Sequence, residues 1–288
     1  MPIESIKNVA VIGAGTMGLG IAQICALSEY PVLLYDIQPE LTRAAIGRIR
    51  RNLEEAVVKG KLTAIQKDEA LARIQAVGDF RQLQVDVAIE TVIEKLEVKQ
   101  KILSELEKIN ANDCLLVSNT SSLSITQLAS VLKHPERLAG LHFFNPAPVM
   151  KLVEIVKGAS TSDLTIKTLS LFASSISKTS VVTNDSPGFI VNRVARLYYS
   201  EALKIVEDNV ADFEVIDNLL KATGFRMGPF QLMDLVGIDT NFAVALSMYE
   251  AFYHDPKFRP SRIQQHRVDA GHHGRKSGKG FYEYKKDE

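Results

Sequence analysis

Tryptophan is absent from this 288-residue chain, and cysteine occurs only at Cys25 and Cys114. Two cysteines without CxxC spacing exclude a disulfide scaffold and fit a reducing compartment. Net charge is lacking too: 34 Lys plus Arg stand against 34 Asp plus Glu. That balance argues against a general role on nucleic acid or a membrane surface. No apolar run reaches the ~18–20 residues that a membrane-spanning helix needs. The opening MPIESIKNVAVIG has no basic region followed by a long apolar stretch, so no signal peptide is expected. His134, His254, His266, His272 and His273 show no metal-ligand spacing, and no metal is expected. Internal repeats and low-complexity tracts are absent as well.

What remains is an ordinary globular composition, 46% hydrophobic and 24% charged, long enough for one large or two ordinary domains. Up to about residue 185, strand-like and helix-like segments alternate. Apolar runs at 8–12 (NVAVI), 31–35 (PVLLY), 85–89 (VDVAI), 114–117, 138–144, 151–156 and 179–183 read as strands. Helical periodicity fills 16–28, 40–60, 64–76, 94–109, 124–132 and 163–177. This alternation predicts an α/β fold with a mostly parallel sheet covered on both faces. After Asp185-Ser186-Pro187-Gly188 the texture changes to helical periodicity without strands until a strand-like GFYEY near the end. The expected division is a Rossmann-type dinucleotide-binding domain over 1–186 followed by an all-α domain over 187–288.

Gly13-Ala14-Gly15-Thr16-Met17-Gly18 follows the first strand and opens the first helix, the context in which GxGxxG carries information. The first glycine allows the tight turn. The second lets the backbone approach a pyrophosphate, and the third lets helix and strand pack closely. Anionic phosphates are favoured at the helix N-terminus. Asp36 ends the next strand, 18 positions after Gly18. A carboxylate there accepts hydrogen bonds from a ribose and repels a 2′-phosphate, so NAD is expected rather than NADP. A tight turn with Asp36 as a helix cap is the plainer alternative.

The stretch LHFFNPAPVMKLVEIV places His142 in one strand-like run and Glu154 in another, with a turn-rich Asn-Pro-Ala-Pro between. A carboxylate buried alone is costly, so a partner is expected. Two strands joined by a short connection can lie side by side and bring the two residues together. A glutamate at one imidazole nitrogen fixes the tautomer and leaves the other nitrogen to move a proton. Two readings follow, a base with its orienting acid or a structural ion pair that pins the turn.

Together with SNTSSLSI at 118–125, DSPGFIVNR at 185–193, MGPFQLMDLVGID at 227–239 and GRKSGKGFYEY at 274–284, these segments resemble the L-3-hydroxyacyl-CoA dehydrogenase family over nearly the whole chain. The likeness is strongest to its short, single-function members. It implies a Rossmann domain, a helical domain that forms a homodimer, and a cytoplasmic NAD enzyme acting on acyl-CoA. By the same resemblance His142 is the catalytic base, Glu154 orients it, and Ser121 and Asn192 donate to the reacting oxygen. Glu94, Lys99, Asn145 and Lys276 match positions around the cofactor. Lys59 matches a CoA contact, and Asn52 stands where the family has serine. Blander readings sit beside these: Ser121 as a helix cap, Asn192 as a polar helix residue, and Glu94, Lys99, Lys59 and Lys276 as solvated charges. Arg43, Arg48, Arg50, Arg51, Lys59 and Lys61 make the second helix basic, which suits the phosphates of CoA. A dehydrogenase of a free hydroxy acid or sugar acid, and a non-catalytic NAD-binding protein, are the alternatives.

Overall fold

Strands that read as unbroken β-branched and aliphatic runs need cover on both faces, and the fold supplies it. The structure, a computed structural model, describes residues 6–284. Eight strands form one sheet: β1 (Val9–Ile12), β2 (Val32–Tyr35), β3 (Ile74–Val77), β4 (Val87–Glu90), β5 (Leu115–Ser118), β6 (Leu138–Phe143), β7 (Leu152–Lys157) and β8 (Thr179–Asn184). Their order is β3-β2-β1-β4-β5-β6-β7-β8. The first six run parallel, β7 is antiparallel to β6, and β8 is parallel to β7. Every residue of β1, β4, β5 and β6 is buried. A large aliphatic side chain buried this way contributes roughly 1.5–3 kcal/mol.

Helices α1 (Thr16–Leu27), α2 (Pro39–Val58), α3 (Ala64–Ala72), α4 (Leu96–Ile109), α5 (Ile125–Ala129) and α6 (Asp163–Ser175) connect the strands. The strand order turns back between β1 and β4. In open α/β sheets a crevice opens at that switch, beyond the carboxyl ends of the strands. The sequence pattern carried the third helix through residue 76, but it stops at Ala72 and Ile74–Val77 forms the edge strand. Ala70, Ile74 and Val77 are the buried residues of this stretch. Their i, i+4, i+7 spacing mimics a helix face, and the strand's buried-exposed-exposed-buried pattern hides its alternation.

The chain divides into two compact units, Met1–Ser186 and Pro187–Glu288. The second holds α7 (Val191–Glu207), α8 (Phe213–Ala222), α9 (Pro229–Val236), α10 (Ile238–Ala251) and α11 (Arg262–Asp269). No strand forms among its described residues. The strand-like GFYEY makes one isolated bridge, Glu283 with Lys279, and Lys279 bridges in turn to Gly274. Two buried aspartates hold that segment and the start of α9. Asp234 accepts from the amides of Phe281 and Tyr282 and from the Tyr284 hydroxyl, each at 2.9 Å. Asp217 accepts from the amides of Phe230 and Gln231 at 2.9 Å and from the Tyr282 hydroxyl at 2.8 Å. Two of the long motifs in this half, GPFQLMD and GFYEY, are therefore a structural clasp around Phe230, Met233 and Phe281.

Candidate active site

The glycine turn lies at the carboxyl end of β1. Gly13 has φ +104°, and a Cβ on Gly18 would sit 1.8 Å from the Gly13 carbonyl oxygen. Glycine is required there if α1 is to pack against β1. A Cβ on Gly15 would meet nothing within 4 Å, so the outer face of the turn is open to a phosphate. Asp36 accepts the Ala14 amide through Oδ2 at 2.8 Å and the Gln38 amide through Oδ1 at 3.0 Å. Thr16 and Met17 form the first helical turn, in which no acidic side chain stands. These residues fit a dinucleotide. Thr91, which sequence reasoning passed over, donates its hydroxyl to the carbonyls of Ile12 and Gly13 at 3.0 and 2.9 Å. A threonine at a strand end carries no sequence signal of such a role.

His142 and Glu154 are direct cross-strand partners in the β6–β7 register. The imidazole Nδ1 lies 2.7 Å from Glu154 Oε2. Both residues are buried, at 6% and 1% exposure. Phe144 packs its ring 4.5 Å from the imidazole. Asn119 accepts the Phe143 amide at 2.9 Å and ties the end of β6 to the loop after β5. A buried carboxylate at one ring nitrogen fixes the tautomer and holds the ring's orientation.

The loop carrying Ser121 is organised by Glu94. One carboxylate oxygen, Oε1, accepts from the Thr120 and Ser122 hydroxyls and from the Ser121 and Ser122 amides. The other, Oε2, lies 3.2 Å from the Lys99 ammonium. Burial pushes the Glu94 carboxyl upward, but Lys99 and those hydrogen bonds outweigh it and hold the group below its ordinary value. Lys99 is no solvated charge, being only 1% exposed and donating to both Glu90 oxygens at 2.8 and 3.0 Å. Glu90, at the end of β4, is fully buried, and burial raises its pKa against the pull of Lys99 and Ser118. Ser121 is not the helix cap; Ser124 caps α5 by accepting the Gln127 amide.

A cleft of about 420 Å³ runs between α1, α2 and the loop after β6. Arg48, Asn52, Lys59 and Lys61 line one side, and Asn145 to Val149 line the other. Asn52 donates its amide to Gln23 at 3.1 Å. Lys59 is exposed and lies 3.3 Å from Glu55, a pairing of little strength in water. Lys178 donates to the carbonyls of Ala147 and Met150 at 2.6 and 2.8 Å, pinning this loop from beneath. Burial lowers its pKa. Asn145 is exposed at the start of the loop, at a cis Asn145–Pro146 bond.

The first unit thus carries the glycine turn, Asp36, Glu94, Lys99, Ser121, His142, Asn145, Glu154, Asn52 and Lys59; contacts join Asp36 to the turn, His142 to Glu154, and Glu94 to Lys99 and Ser121, and Asn52, Lys59 and Asn145 line one cleft. The other two candidates belong to the second unit. Asn192 stands in the first turn of α7. Lys276 is paired with Asp239 at 2.7 Å.

Comparison with known proteins identifies the family. A family model described as 3-hydroxyacyl-CoA dehydrogenase, NAD binding domain, matches residues 8–186. A second, the C-terminal domain of the same family, matches residues 188–284. The chain belongs to the 3-hydroxyacyl-CoA dehydrogenase family, and its first unit is that family's NAD-binding domain. It is 47% identical to 3-hydroxyadipyl-CoA dehydrogenase of Escherichia coli over 98% of its own length and 60% of that protein. The chain therefore spans about three-fifths of that relative. It is 39% identical to 3-hydroxybutyryl-CoA dehydrogenase of Bradyrhizobium diazoefficiens, covering 97% of this chain and 96% of the relative. The crystal structure of (S)-3-hydroxybutyryl-CoA dehydrogenase from Ralstonia eutropha superposes with a TM-score of 0.94 at 39% identity, covering 98% of this chain and all of that one. Among the described residues no helix is long and apolar enough to cross a membrane.

Proposed function

We propose that the chain interconverts L-3-hydroxyacyl-CoA and 3-ketoacyl-CoA thioesters of short acyl length, using NAD. The observation that carries this reading is the buried His142–Glu154 contact, on the same sheet as the glycine turn. Losing hydrogen from a secondary alcohol requires a proton acceptor beside a hydride acceptor. NAD, when bound, supplies the latter. His142 takes the hydroxyl proton through Nε2, while Glu154 at Nδ1 stabilises the imidazolium. The Ser121 hydroxyl donates to the substrate oxygen as its charge grows. Asn192 is the second donor by resemblance. Gly13, Gly15, Thr16, Met17 and Gly18 receive the pyrophosphate, and Asp36 the adenosine ribose, which favours NAD over NADP. Glu94, Asn145 and Lys276 complete the cofactor site, with Lys99 behind Glu94. Asn52 and Lys59 hold CoA, whose phosphates suit the basic wall of the cleft.

The helical second unit serves dimerisation, and its exposed Val194, Val215, Leu219 and Phe225 support that role. Work in the cytoplasm fits two free, buried thiols, Cys25 and Cys114. A second reading within the same chemistry is an acyl chain ending in a carboxylate, favoured by the name of the Escherichia coli relative.

The test is NADH oxidation with acetoacetyl-CoA, run beside NADPH, free acetoacetate and a 3-ketoacyl-CoA bearing a terminal carboxylate. Turnover of thioesters with NADH alone is expected. Turnover of free acetoacetate would replace the CoA reading, and NADH binding without any turnover would replace the enzymatic one.

A further inference from the structure

A lysine and a glutamate that together lose all contact with water are an expensive way to stabilise a fold. Taking both charges out of water costs several kcal/mol per ion, and a well-packed apolar pair is often as stable. Such a pair gives fixed geometry, and the question is what it fixes. Glu90 is fully satisfied: Ser118 donates at 2.6 Å, the Val92 amide at 2.6 Å, and Lys99 to both oxygens. Lys99 is aimed by three acceptor groups, Glu90, the Val92 carbonyl at 3.3 Å and Glu94 at 3.2 Å. Only Glu94 reaches the surface, with a side chain 36% exposed. One of its oxygens is held by the cation, so the other points at the Thr120–Ser122 loop and collects four donors there.

We propose that Glu90 and Lys99 are positioning residues, which hold the Ser121 loop in place through Glu94 and so set the direction of the Ser121 hydroxyl. The chain Ser118–Glu90–Lys99–Glu94–Ser121 joins the ends of β4 and β5 to the loop beyond them. Without the ammonium, Glu94 turns toward water and releases both amides. This inference rests on the assignment of Ser121 as a donor to the substrate oxygen. Lys99 then works behind the cofactor site, through Glu94.

The test compares the parent chain with the double variant Glu90→Gln/Lys99→Met, which removes the two fully buried charges together, so that Glu90 is not left as an unpaired buried acid, and takes from Glu94 its cation. Hydrogen exchange of the peptide spanning 119–124 is expected to quicken about tenfold, with peptides of β1 unchanged. The kcat with acetoacetyl-CoA is expected to fall about tenfold to a hundredfold, as small misplacements of a donor do. Adding Ser121→Ala to the double variant is expected to cost far less than in the parent, because the hydroxyl is already misdirected. Unchanged exchange at 119–124, or fully additive losses in kcat, overturns the proposal. A parent chain without turnover sinks the functional reading but leaves the exchange measurement to decide this one. If the double variant fails to fold, Glu94→Gln breaks the chain at its surface member and is read by the same exchange measurement.

Discussion

Both units bury carboxylates, and they surround them differently. In the first, Glu154 faces His142 and Glu90 faces Lys99. In the second, Asp217 and Asp234 face backbone amides and the phenols of Tyr282 and Tyr284. Amides do not titrate, and phenols do so only near pH 10. An acid among such partners holds chain segments together and nothing else. An acid beside an imidazole orients a ring that can take or give a proton. A buried acid alone therefore does not mark a site; what it holds in place does.

The largest effect that sharpens this contrast is at His142. Replacing it with Gln is expected to lower kcat by about 10²- to 10⁴-fold, the usual worth of a positioned acid or base. The thermal midpoint and the NADH dissociation constant should stay near the parent values. Full activity in that variant would put the His142–Glu154 pair in the same structural class as Asp217 and Asp234.

Asp234→Ala should do the reverse. It strips three hydrogen-bond donors of their acceptor, and a loss on the order of 3 kcal/mol in urea unfolding is expected, with kcat per folded molecule retained. A drop in kcat at full occupancy of the folded state would bring the clasp into the chemistry.

The two units should also fail at opposite ends of the pH scale. Burial and the hydrogen bond to Asp234 push the Tyr284 phenol up to about 12. Its contribution is complete below the ordinary phenol value of ~10 and is lost as pH rises toward 12. Tyr284→Phe should flatten that alkaline decline in the thermal midpoint. Glu94 is held low, so its contribution is complete above the ordinary carboxyl value of ~4.3 and disappears as pH falls through the folded value. Glu90, held high by burial, acts in the opposite sense in acid. The informative quantity is thus the difference between the parent and Glu94→Gln. Equal acid slopes in the two would remove Glu94 from the account.

The smallest effect concerns Lys59. Lys59→Ala should raise the KM for the acyl-CoA a few-fold with kcat unchanged. Because its pairing with Glu55 is solvent-exposed, stability should move by less than ~0.5 kcal/mol. A fall in kcat with KM unchanged would place this lysine elsewhere in the reaction.

The glycine turn, Asp36 and the change of texture at Pro187 are legible in the chain because each depends on neighbours close in sequence. The meeting of His142 and Glu154 is legible for the same reason, since only a short turn separates their strands. β3 escapes because its apolar spacing satisfies two periods at once. The burial of Lys99 escapes because nothing in IEKLEVK distinguishes a lysine buried at the end of β4 from one in water. Glu90 reads as the polar end of VDVAIE, and only the fold shows Ser118 and Lys99 on it. Asp217 and Asp234 are hidden by distance, with partners up to 65 and 50 residues away. Lys276, which resemblance sends to the cofactor, is held by Asp239 within the second unit.

Asp36 does two things with one side chain. Its Oδ2 fastens the Ala14 amide inside the glycine turn, and in the proposed function the same carboxylate receives the ribose. Anyone redesigning this scaffold to run on NADPH would begin by replacing that acid with a neutral or basic residue. The replacement would also unfasten the loop that grips the diphosphate, so the redesigned protein would hold either dinucleotide poorly. A workable exchange of coenzyme has to supply Ala14 with a new acceptor first, and only then alter the charge.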